Sequence, residues 1–316
     1  MRKDIWTDLA YMTDQYDGGN QMSKPVFTGS GVAIVTPMHA DGSIHFEEFG
    51  RLIDFQIENG TDAIVACGTT GESAVLNHKE HCDVISYAVE HVNGRVPVIA
   101  GTGSNDTNYA IELTKEAQAL GADAILSVTP YYNKTSQQGL VRHFCCIADS
   151  VNIPVILYNV PGRTGCNIQP QTYVPLAQHE NIVATKEASE NISAIAKIFA
   201  LCGDSLDVYS GADDQTVPIM SLGGLGVISV FANIMPKQMH QITQLMLDGN
   251  YKEAARLHLQ YLELMNALFS DVNPIPVKAA MNLMGFACGE CRLPLVPMSD
   301  SALSGLKECL KKFGLV

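Results

Sequence analysis

The chain has 316 residues, of which 47% are hydrophobic, so it can bury a large core as two ordinary domains or as one α/β barrel with an addition. Its 20 Lys and Arg residues against 33 Asp and Glu residues give a formal net charge of −13, which argues against nucleic acid or an anionic membrane as a partner. Nine cysteines follow no regular pattern, and we find no secretory signal or membrane-spanning run, so we expect a cytoplasmic protein.

Residues 1–22 are expected to be an N-terminal extension, disordered or non-native. They are mostly polar, and they lead into Met22-Ser-Lys-Pro25, which is typical of an ordinary protein start. An early start codon or a leader would account for them. We expect a catalytic barrel over residues 23–235 and a helical region over residues 236–316.

From Gly31 onward, short apolar runs rich in Val and Ile alternate with segments of helical period, which is typical of βα units in a parallel sheet. The predicted strands are Gly31–Thr36, Asp62–Ala66, Val96–Ala100, Ala124–Val128, Pro154–Tyr158, Ile182–Lys186, Asp207–Ser210 and Gly226–Ser229. The predicted helices between them are Glu47–Asn59, Asn77–Asn93, Thr107–Leu120, Ser136–Ser150, Gln171–Ala177, Asn191–Leu201 and Asp213–Ser221. Eight such units indicate a closed (β/α)8 TIM barrel.

After Pro236 the strand pattern stops and the pattern predicts helices alone. They are Lys237–Asp248, Tyr251–Phe269, Pro276–Met284 and Ser301–Phe313. Helices of this length rarely stand unsupported, so we expect this C-terminal helical addition to pack on the barrel or on another subunit.

The sixth predicted strand ends on Lys186, a charged residue after an apolar run. Strand alternation puts Ile182, Ala184 and Lys186 on one face. Burial on such a face lowers the pKa of an ammonium group, and a neutral amine can form a Schiff base with a carbonyl substrate. A lysine at a strand end more often extends into water, so this stretch alone favours a solvated lysine.

The loops that follow the other strands favour a catalytic Lys186 over a solvated one. The active site of such a barrel lies where strands end, and these loops place hydroxyls, an arginine and backbone donors at the same end as Lys186. The loops are Gly68-Thr-Thr-Gly-Glu-Ser73, Thr129-Pro-Tyr-Tyr-Asn133, Tyr158-Asn-Val-Pro-Gly-Arg-Thr-Gly165 and Ser210-Gly-Ala-Asp-Asp214. Each alone is compatible with a tight turn or a rim residue, but together they indicate one catalytic face.

From about Val26 to its C-terminus the sequence resembles the dihydrodipicolinate synthase family, within the superfamily that includes N-acetylneuraminate lyase. The matching motifs are Gly68-Thr-Thr-Gly-Glu72, Tyr131-Tyr132-Asn133, Tyr158-Asn-Val-Pro-Gly-Arg163-Thr-Gly165, Lys186-Glu187 and Gly223-Gly-Leu-Gly-Val-Ile-Ser229. The resemblance implies that Lys186 forms an imine with pyruvate, and that the enamine attacks L-aspartate-4-semialdehyde in the diaminopimelate route to lysine. No other cofactor is implied.

Site residues are also implied by the resemblance. Thr70, Tyr132 and Tyr158 would form a hydroxyl relay for protons, with Tyr158 nearest the imine and Thr69 placing Tyr132. Arg163 would bind the carboxylate of the semialdehyde, a role that suits its planar fork of donors. Backbone contacts would come from Gly211 and Ile228, and the family's usual assembly is a homotetramer, a dimer of tight dimers.

Some members of the family bind L-lysine as an inhibitor at the dimer interface. The matching positions here are Ser73, Ala74, His78, His81, Asn105, Tyr109 and Tyr131. Tyr109 stands where lysine-sensitive relatives have an acidic residue. Losing a hydrogen bond between charged groups costs roughly 1.5–3 kcal/mol, so we expect weak or absent inhibition.

Three alternatives remain at this point. The first is another pyruvate-dependent aldolase such as N-acetylneuraminate lyase, and the second is a barrel that only senses a metabolite, although none of the chemical residues is lost. A metal-dependent aldolase is the third, for which His78 and His81 are candidate ligands. No carboxylate is evident near them in sequence, and the pair Cys288 and Cys291 has no second pair, so we expect no metal site.

Overall fold

The computed structural model describes residues 24–316, and the expected extension at residues 1–22 lies outside them. Eight parallel strands close into a barrel in sequence order, which confirms the predicted (β/α)8 architecture. The strands are β1 Gly29–Ala33, β2 Ala63–Ala66, β3 Val98–Gly101, β4 Ala124–Val128, β5 Val155–Asn159, β6 Ile182–Glu187, β7 Asp207–Ser210 and β8 Gly226–Ser229.

Helices surround the barrel and continue beyond it. Those that follow the strands are α1 Phe46–Glu58, α2 His78–Val92, α3 Thr107–Ala119, α4 Gln137–Ala148, α5 Pro161–Thr164, α6 Pro170–Leu176, α7 Ile192–Cys202, α8 Thr216–Ser221 and α9 Pro236–Leu247. The C-terminal helices are α10 Tyr251–Ala267, α11 Ile275–Leu283 and α12 Asp300–Lys312. Within residues 24–316, no helix is both long and apolar enough to span a bilayer.

Helix α9 belongs to the barrel by its packing. The sequence analysis assigned this segment to the C-terminal helical region, but α9 packs against β1 and β8 and is the helix that follows the eighth strand. The addition to the barrel therefore consists of α10, α11 and α12.

Strand β6 contains an irregularity that the alternation pattern does not reveal. Ile182 pairs with Val155 and Ala184 pairs with the next residue of β5, so Val183 is an extra residue in the ladder. Ile182 consequently packs in the outer layer between strands and helices, whereas Ala184 lies in the barrel interior. The prediction that Ile182 shares a face with Lys186 was wrong, because the bulge changes the alternation before Ala184.

Strand β1 ends earlier than its apolar run, which continues to Thr36. Asn233 accepts from the backbone N–H of Val35 at 3.1 Å and donates to the carbonyl of Ala33 at 2.9 Å. Its side-chain amide thus binds the backbone at Ala33 and Val35 where ladder bonds would continue, which explains why the strand ends at Ala33 and not at the predicted Thr36.

Candidate active site

A cavity of about 910 Å³ opens at the C-terminal ends of the strands and contains Lys186. Its lining combines residues that the sequence analysis predicted with others from the C-terminal addition. Predicted site residues in the lining are Thr69, Thr70, Tyr158, Arg163, Lys186 and Gly211. The addition contributes Met265, Asn266, Phe269, Asp271, Val272 and Asn273.

Lys186 and Tyr158 are direct neighbours across the β5–β6 ladder. Both side chains are buried, at 5% and 6% exposure, and the Lys186 Nζ lies 4.4 Å from the centroid of the Tyr158 ring. The pairing register therefore places the amine beside the tyrosine that was predicted to act nearest the imine.

Glu187, the residue after Lys186, anchors the end of β6. Its buried carboxylate accepts hydrogen bonds from the Tyr173 hydroxyl at 2.5 Å, the Ser189 hydroxyl at 2.7 Å and the Asn159 amide at 2.9 Å. Burial raises the pKa of Glu187, and these three donors act in the opposite direction. Since Glu187 is held at both oxygens, the backbone that carries Lys186 has little freedom to move.

A second buried carboxylate, Asp213, lines the same cavity. It accepts from the Ser229 hydroxyl at 2.6 Å and from the backbone N–H groups of Val230 at 3.1 Å and Phe231 at 2.9 Å. Burial raises the pKa of Asp213, while these donors and the charge of Lys186 oppose the shift. Asp213 fixes the loop after β8 against the loop after β7, which the sequence analysis did not predict.

Gly211 stands close to Lys186 and leaves no room for a side chain. Its backbone N–H donates to the Glu187 carbonyl at 2.7 Å, so a contact from Gly211 to a substrate would come from its carbonyl oxygen. A Cβ at this position would lie 3.1 Å from the Lys186 Cε and 2.7 Å from the Ala188 Cβ. Ile228 is buried in the barrel interior and does not line the cavity.

Asn273 joins Thr70 to Arg163 across the cavity wall. Its amide donates to the Thr70 hydroxyl oxygen at 3.0 Å, and its backbone carbonyl accepts from the Arg163 guanidinium at 3.3 Å. Its Oδ1 atom is buried without a hydrogen-bond partner. Sequence reasoning missed Asn273, because it follows α10 in a stretch with no motif.

Tyr132 is not brought to this cavity by its own chain. Its side chain is 90% exposed, its backbone has a φ of +68°, and it is absent from the lining of the cavity that contains Lys186. The structure thus brings together Lys186, Tyr158, Thr70 and Arg163 within one chain, but Tyr132 is not among the residues that line their cavity.

A second cavity, of about 450 Å³, adjoins the first and shares Thr69 and Arg163 with it. Most residues of the predicted lysine site line this second cavity, and His78 and Asn105 do not. The lining members of that set are Ser73, Ala74, His81, Tyr109 and Tyr131.

The two histidines considered as metal ligands have different surroundings. The His81 ring lies 2.7 Å from the Gly101 carbonyl, and burial lowers the pKa of His81. His78 lies 3.0 Å from the carboxylate of Glu116 on α3, and the Cys82 thiol donates to the same carboxylate at 2.8 Å. The sequence analysis found no carboxylate near these histidines, because Glu116 is supplied by the next helix.

The remaining cysteine prediction concerns Cys288 and Cys291. Both are free thiols, Cys288 is buried, and burial raises the pKa of each to about 12. Neither belongs to a group of three or more possible metal ligands within the part of the chain that the structure describes.

Comparison with known proteins matches this sequence and fold to one family. The sequence profile of the Dihydrodipicolinate synthetase family matches residues 26–313. Over 295 residues the chain is 56% identical to the 4-hydroxy-tetrahydrodipicolinate synthase of Acetivibrio thermocellus, covering 93% of this chain and 100% of that relative.

Solved structures of two similar enzymes superpose on nearly the whole barrel. The dihydrodipicolinate synthase of Acinetobacter baumannii, solved in complex with pyruvate, is 44% identical with a TM-score of 0.90 over 92% of this chain and 99% of its own. The enzyme of Cyanidioschyzon merolae, solved with lysine bound, is 42% identical with a TM-score of 0.90 over 93% of this chain and 100% of its own.

Proposed function

The chain belongs to the dihydrodipicolinate synthase family, and on that premise we propose that it condenses pyruvate with L-aspartate-4-semialdehyde to 4-hydroxy-tetrahydrodipicolinate. The observation that carries the proposal is the buried Lys186 amine, 4.4 Å from the Tyr158 ring and facing a cavity of about 910 Å³. Relatives at this identity are synthases, which favours this reaction over the N-acetylneuraminate lyase alternative.

The reaction balances with Lys186 as the only covalent catalyst. The Lys186 amine adds to the carbonyl carbon of pyruvate and water leaves, giving an imine. Loss of a methyl proton gives the enamine, whose carbon attacks the aldehyde carbon of the semialdehyde. The amino group of the second substrate then displaces Lys186 and closes the ring, so the net products are 4-hydroxy-tetrahydrodipicolinate and one water.

Tyr158 and Thr70 carry protons in this scheme. The Tyr158 phenol lies beside the amine, where it can serve as acid and base for imine formation and release. The Thr70 oxygen accepts from Asn273 at 3.0 Å, which leaves the Thr70 hydroxyl proton free to be donated toward Tyr158 or the substrate.

Arg163 binds the carboxylate of the semialdehyde. Its guanidinium donates one hydrogen bond to the Asn273 carbonyl, and its side chain is otherwise exposed at the rim of the cavity. An anionic substrate needs a local cation in a chain of net charge −13, and a guanidinium that is already oriented loses less entropy on binding.

Tyr132 serves the site of a neighbouring subunit, and the active assembly is a homotetramer built from tight dimers in the cytoplasm. The 90% exposure of Tyr132 supports this assignment, since a large aromatic side chain outside its own cavity is suited to an interface.

L-Lysine inhibits weakly or not at all through the second cavity. Tyr109 lines this cavity, and burial together with the nearby carboxylates of Glu112 and Glu116 raises its pKa, so its hydroxyl stays neutral. A neutral hydroxyl attracts an ammonium group less than a carboxylate does. Half-inhibition by lysine well below millimolar concentration would contradict this view.

Initial rates with pyruvate and L-aspartate-4-semialdehyde test the proposed activity. The parent chain should turn over this pair, Lys186→Ala should lose the activity, and substitution of the exposed Lys197 by Ala should leave it unchanged. Cleavage of N-acetylneuraminate without condensation of the semialdehyde would replace the proposal by its alternative.

A further inference from the structure

A cluster of possible metal ligands lies in the outer helical layer and does not line the cavity of Lys186. His78 and Cys82 are four residues apart on α2 and so share one face of that helix. Glu116 comes from α3, which packs against α2. One ring nitrogen of His78, the Cys82 Sγ and one carboxylate oxygen of Glu116 all lie within 4.8 Å of one another.

We propose that His78, Cys82 and Glu116 form a binding site for a divalent transition-metal ion, with Zn²⁺ as the best-suited ion and water as the fourth ligand. Tetrahedral zinc with its usual bond lengths needs ligand atoms about 3.3–3.6 Å apart. The His78 Nε2 and Glu116 Oε2 atoms are 3.0 Å apart, and the Cys82 Sγ and Glu116 Oε2 atoms are 2.8 Å apart. Side-chain shifts on the order of 1 Å would therefore admit the ion.

The donor types decide which ion fits. A thiolate, an imidazole and a carboxylate together suit zinc and similar ions, whereas Mg²⁺ and Ca²⁺ take oxygen ligands. Two anionic ligands, Cys82 and Glu116, balance the two charges of the ion. The bound ion would clamp α2 to α3 on the outside of the barrel.

The surroundings of the cluster favour a cation. Two further carboxylates, those of Asp83 and Glu112, lie near Cys82 and add negative charge to the surroundings of the cluster. In the absence of a cation the thiol keeps its proton and donates it to Glu116. On binding, that thiol proton passes to solvent and the thiolate ligates the ion, while the His78 ring ligates through Nε2 and carries its proton on Nδ1 in place of Nε2.

An ordinary hydrogen-bonded cluster is the plain alternative, since His78 and Glu116 are each 41% exposed and such pairs are common on surfaces. The two explanations differ in what they predict for Cys82. A hydrogen-bonded cluster tolerates Cys82→Ser, because a hydroxyl also donates to Glu116, whereas a zinc site loses its softest ligand.

Cobalt serves as the spectroscopic probe. The full chain, stripped with a chelator and kept reduced without added thiol, is titrated with Co²⁺ and then with Zn²⁺. We expect one equivalent per chain, a thiolate-to-cobalt charge-transfer band in the near ultraviolet, and loss of that band when Zn²⁺ displaces Co²⁺. Residues that only hydrogen-bond to a metal ligand contribute about 10–100-fold to metal affinity, so loss of the ligand itself in Cys82→Ser should weaken binding by more than about 100-fold and abolish the band.

Substitution of the exposed Cys146 by Ser is the matched control and should leave the band and the stoichiometry unchanged. His78→Gln and Glu116→Gln keep the thiol and should each weaken binding, which carries the test if Cys82→Ser fails to fold. The proposal is overturned by a parent chain without the band, by a band that survives Cys82→Ser, or by equal loss in Cys146→Ser. None of these outcomes depends on the proposed condensation activity.

Discussion

A side chain added at Gly211 would contact Lys186 directly. A methyl group at this position would lie 3.1 Å from the Lys186 Cε and 2.7 Å from the Ala188 Cβ, so one of them must move. A displacement of about 1 Å at a reacting group can cost about 100-fold in rate. We expect Gly211→Ala to fold and to lose about that factor in kcat.

Gly305→Ala provides the comparison for Gly211→Ala, since nothing lies within 4 Å of a Cβ built on this glycine of α12. Its kcat should equal that of the parent. Full activity in Gly211→Ala would show that the Lys186 side chain is not confined by this contact.

Burial of the Asp207 carboxyl, at the start of β7, lowers the free energy of unfolding by an amount that depends on pH. Burial raises its pKa from 3.8 to about 6, so the folded state binds the proton more tightly than the unfolded state. The charged carboxylate therefore lowers stability above about pH 6, and this penalty fades as pH falls toward about 4.

Asp207→Asn should accordingly stabilise the chain at neutral pH. We expect a gain of roughly 1 kcal/mol at about pH 7.5 after screening by solvent, and no gain near about pH 4. Thermal or urea unfolding at the two pH values measures it, with the exposed Asp204→Asn as comparison. A gain that is equal at both pH values would refute the assigned cause.

At the scale of elements, a buried ion pair joins the helical addition to the loop that carries Thr69 and Thr70. The Lys278 ammonium on α11 lies 2.8 Å from the Glu72 carboxylate, and both side chains are almost fully buried. Lys278 also donates to the carbonyls of Thr36 and Glu290, at 3.2 and 2.8 Å. Glu72 has a left-handed φ of +58°, a backbone conformation that the surrounding contacts must hold in place.

Lys278→Met should destabilise the chain, because it leaves the Glu72 carboxylate buried without its counter-ion. Breaking such a pair costs about 3–5 kcal/mol, whereas Lys311→Met, which breaks the exposed pair with Glu308, should change the free energy of unfolding far less. The free energy of unfolding from urea titration measures both. The double variant Lys278→Met with Glu72→Gln should recover part of the loss, and strictly additive costs would contradict a coupled pair.

The repeating βα pattern made the elements predictable, but contacts between distant segments were not. Most of the strands contain a short run of Val, Ile, Leu or Ala between segments of helical period, so hydrophobic periodicity predicts the eight βα units. The extra residue Val183 depends on how β6 pairs with β5, and the early end of β1 depends on Asn233, two hundred residues further along. Neither is encoded in local sequence.

The same distinction applies to the site. Lys186, Thr70, Tyr158 and Arg163 could be predicted because each lies at the C-terminal end of a strand or in the loop that follows one, and a barrel brings strand ends together. Asn273 could not, since it is separated from its partner Thr70 by 203 residues and follows a helix of the addition. Glu116 escaped for a similar reason, because its proximity to His78 depends on the packing of α2 on α3.

At the scale of the whole molecule, the position of Tyr132 predicts a site completed by a second copy of the chain. Mixed dimers of Tyr132→Phe and Lys186→Ala chains test this. Each chain alone should be nearly inactive, but in a mixed dimer the Tyr132→Phe chain keeps its lysine and receives an intact tyrosine from its partner. Activity should therefore return on mixing, and its failure to return in proven mixed dimers would place Tyr132 in the site of its own chain.

Trapping of the imine with borohydride tests the central claim, that Lys186 is the nucleophile, most directly. Reduction in the presence of pyruvate should add one pyruvate-derived group per chain, and mass spectrometry should locate it on the peptide that carries Lys186. Lys186→Ala should remain unmodified, whereas Lys197→Ala should be trapped like the parent. A parent chain that stays unmodified, or an adduct that persists in Lys186→Ala, would contradict the account.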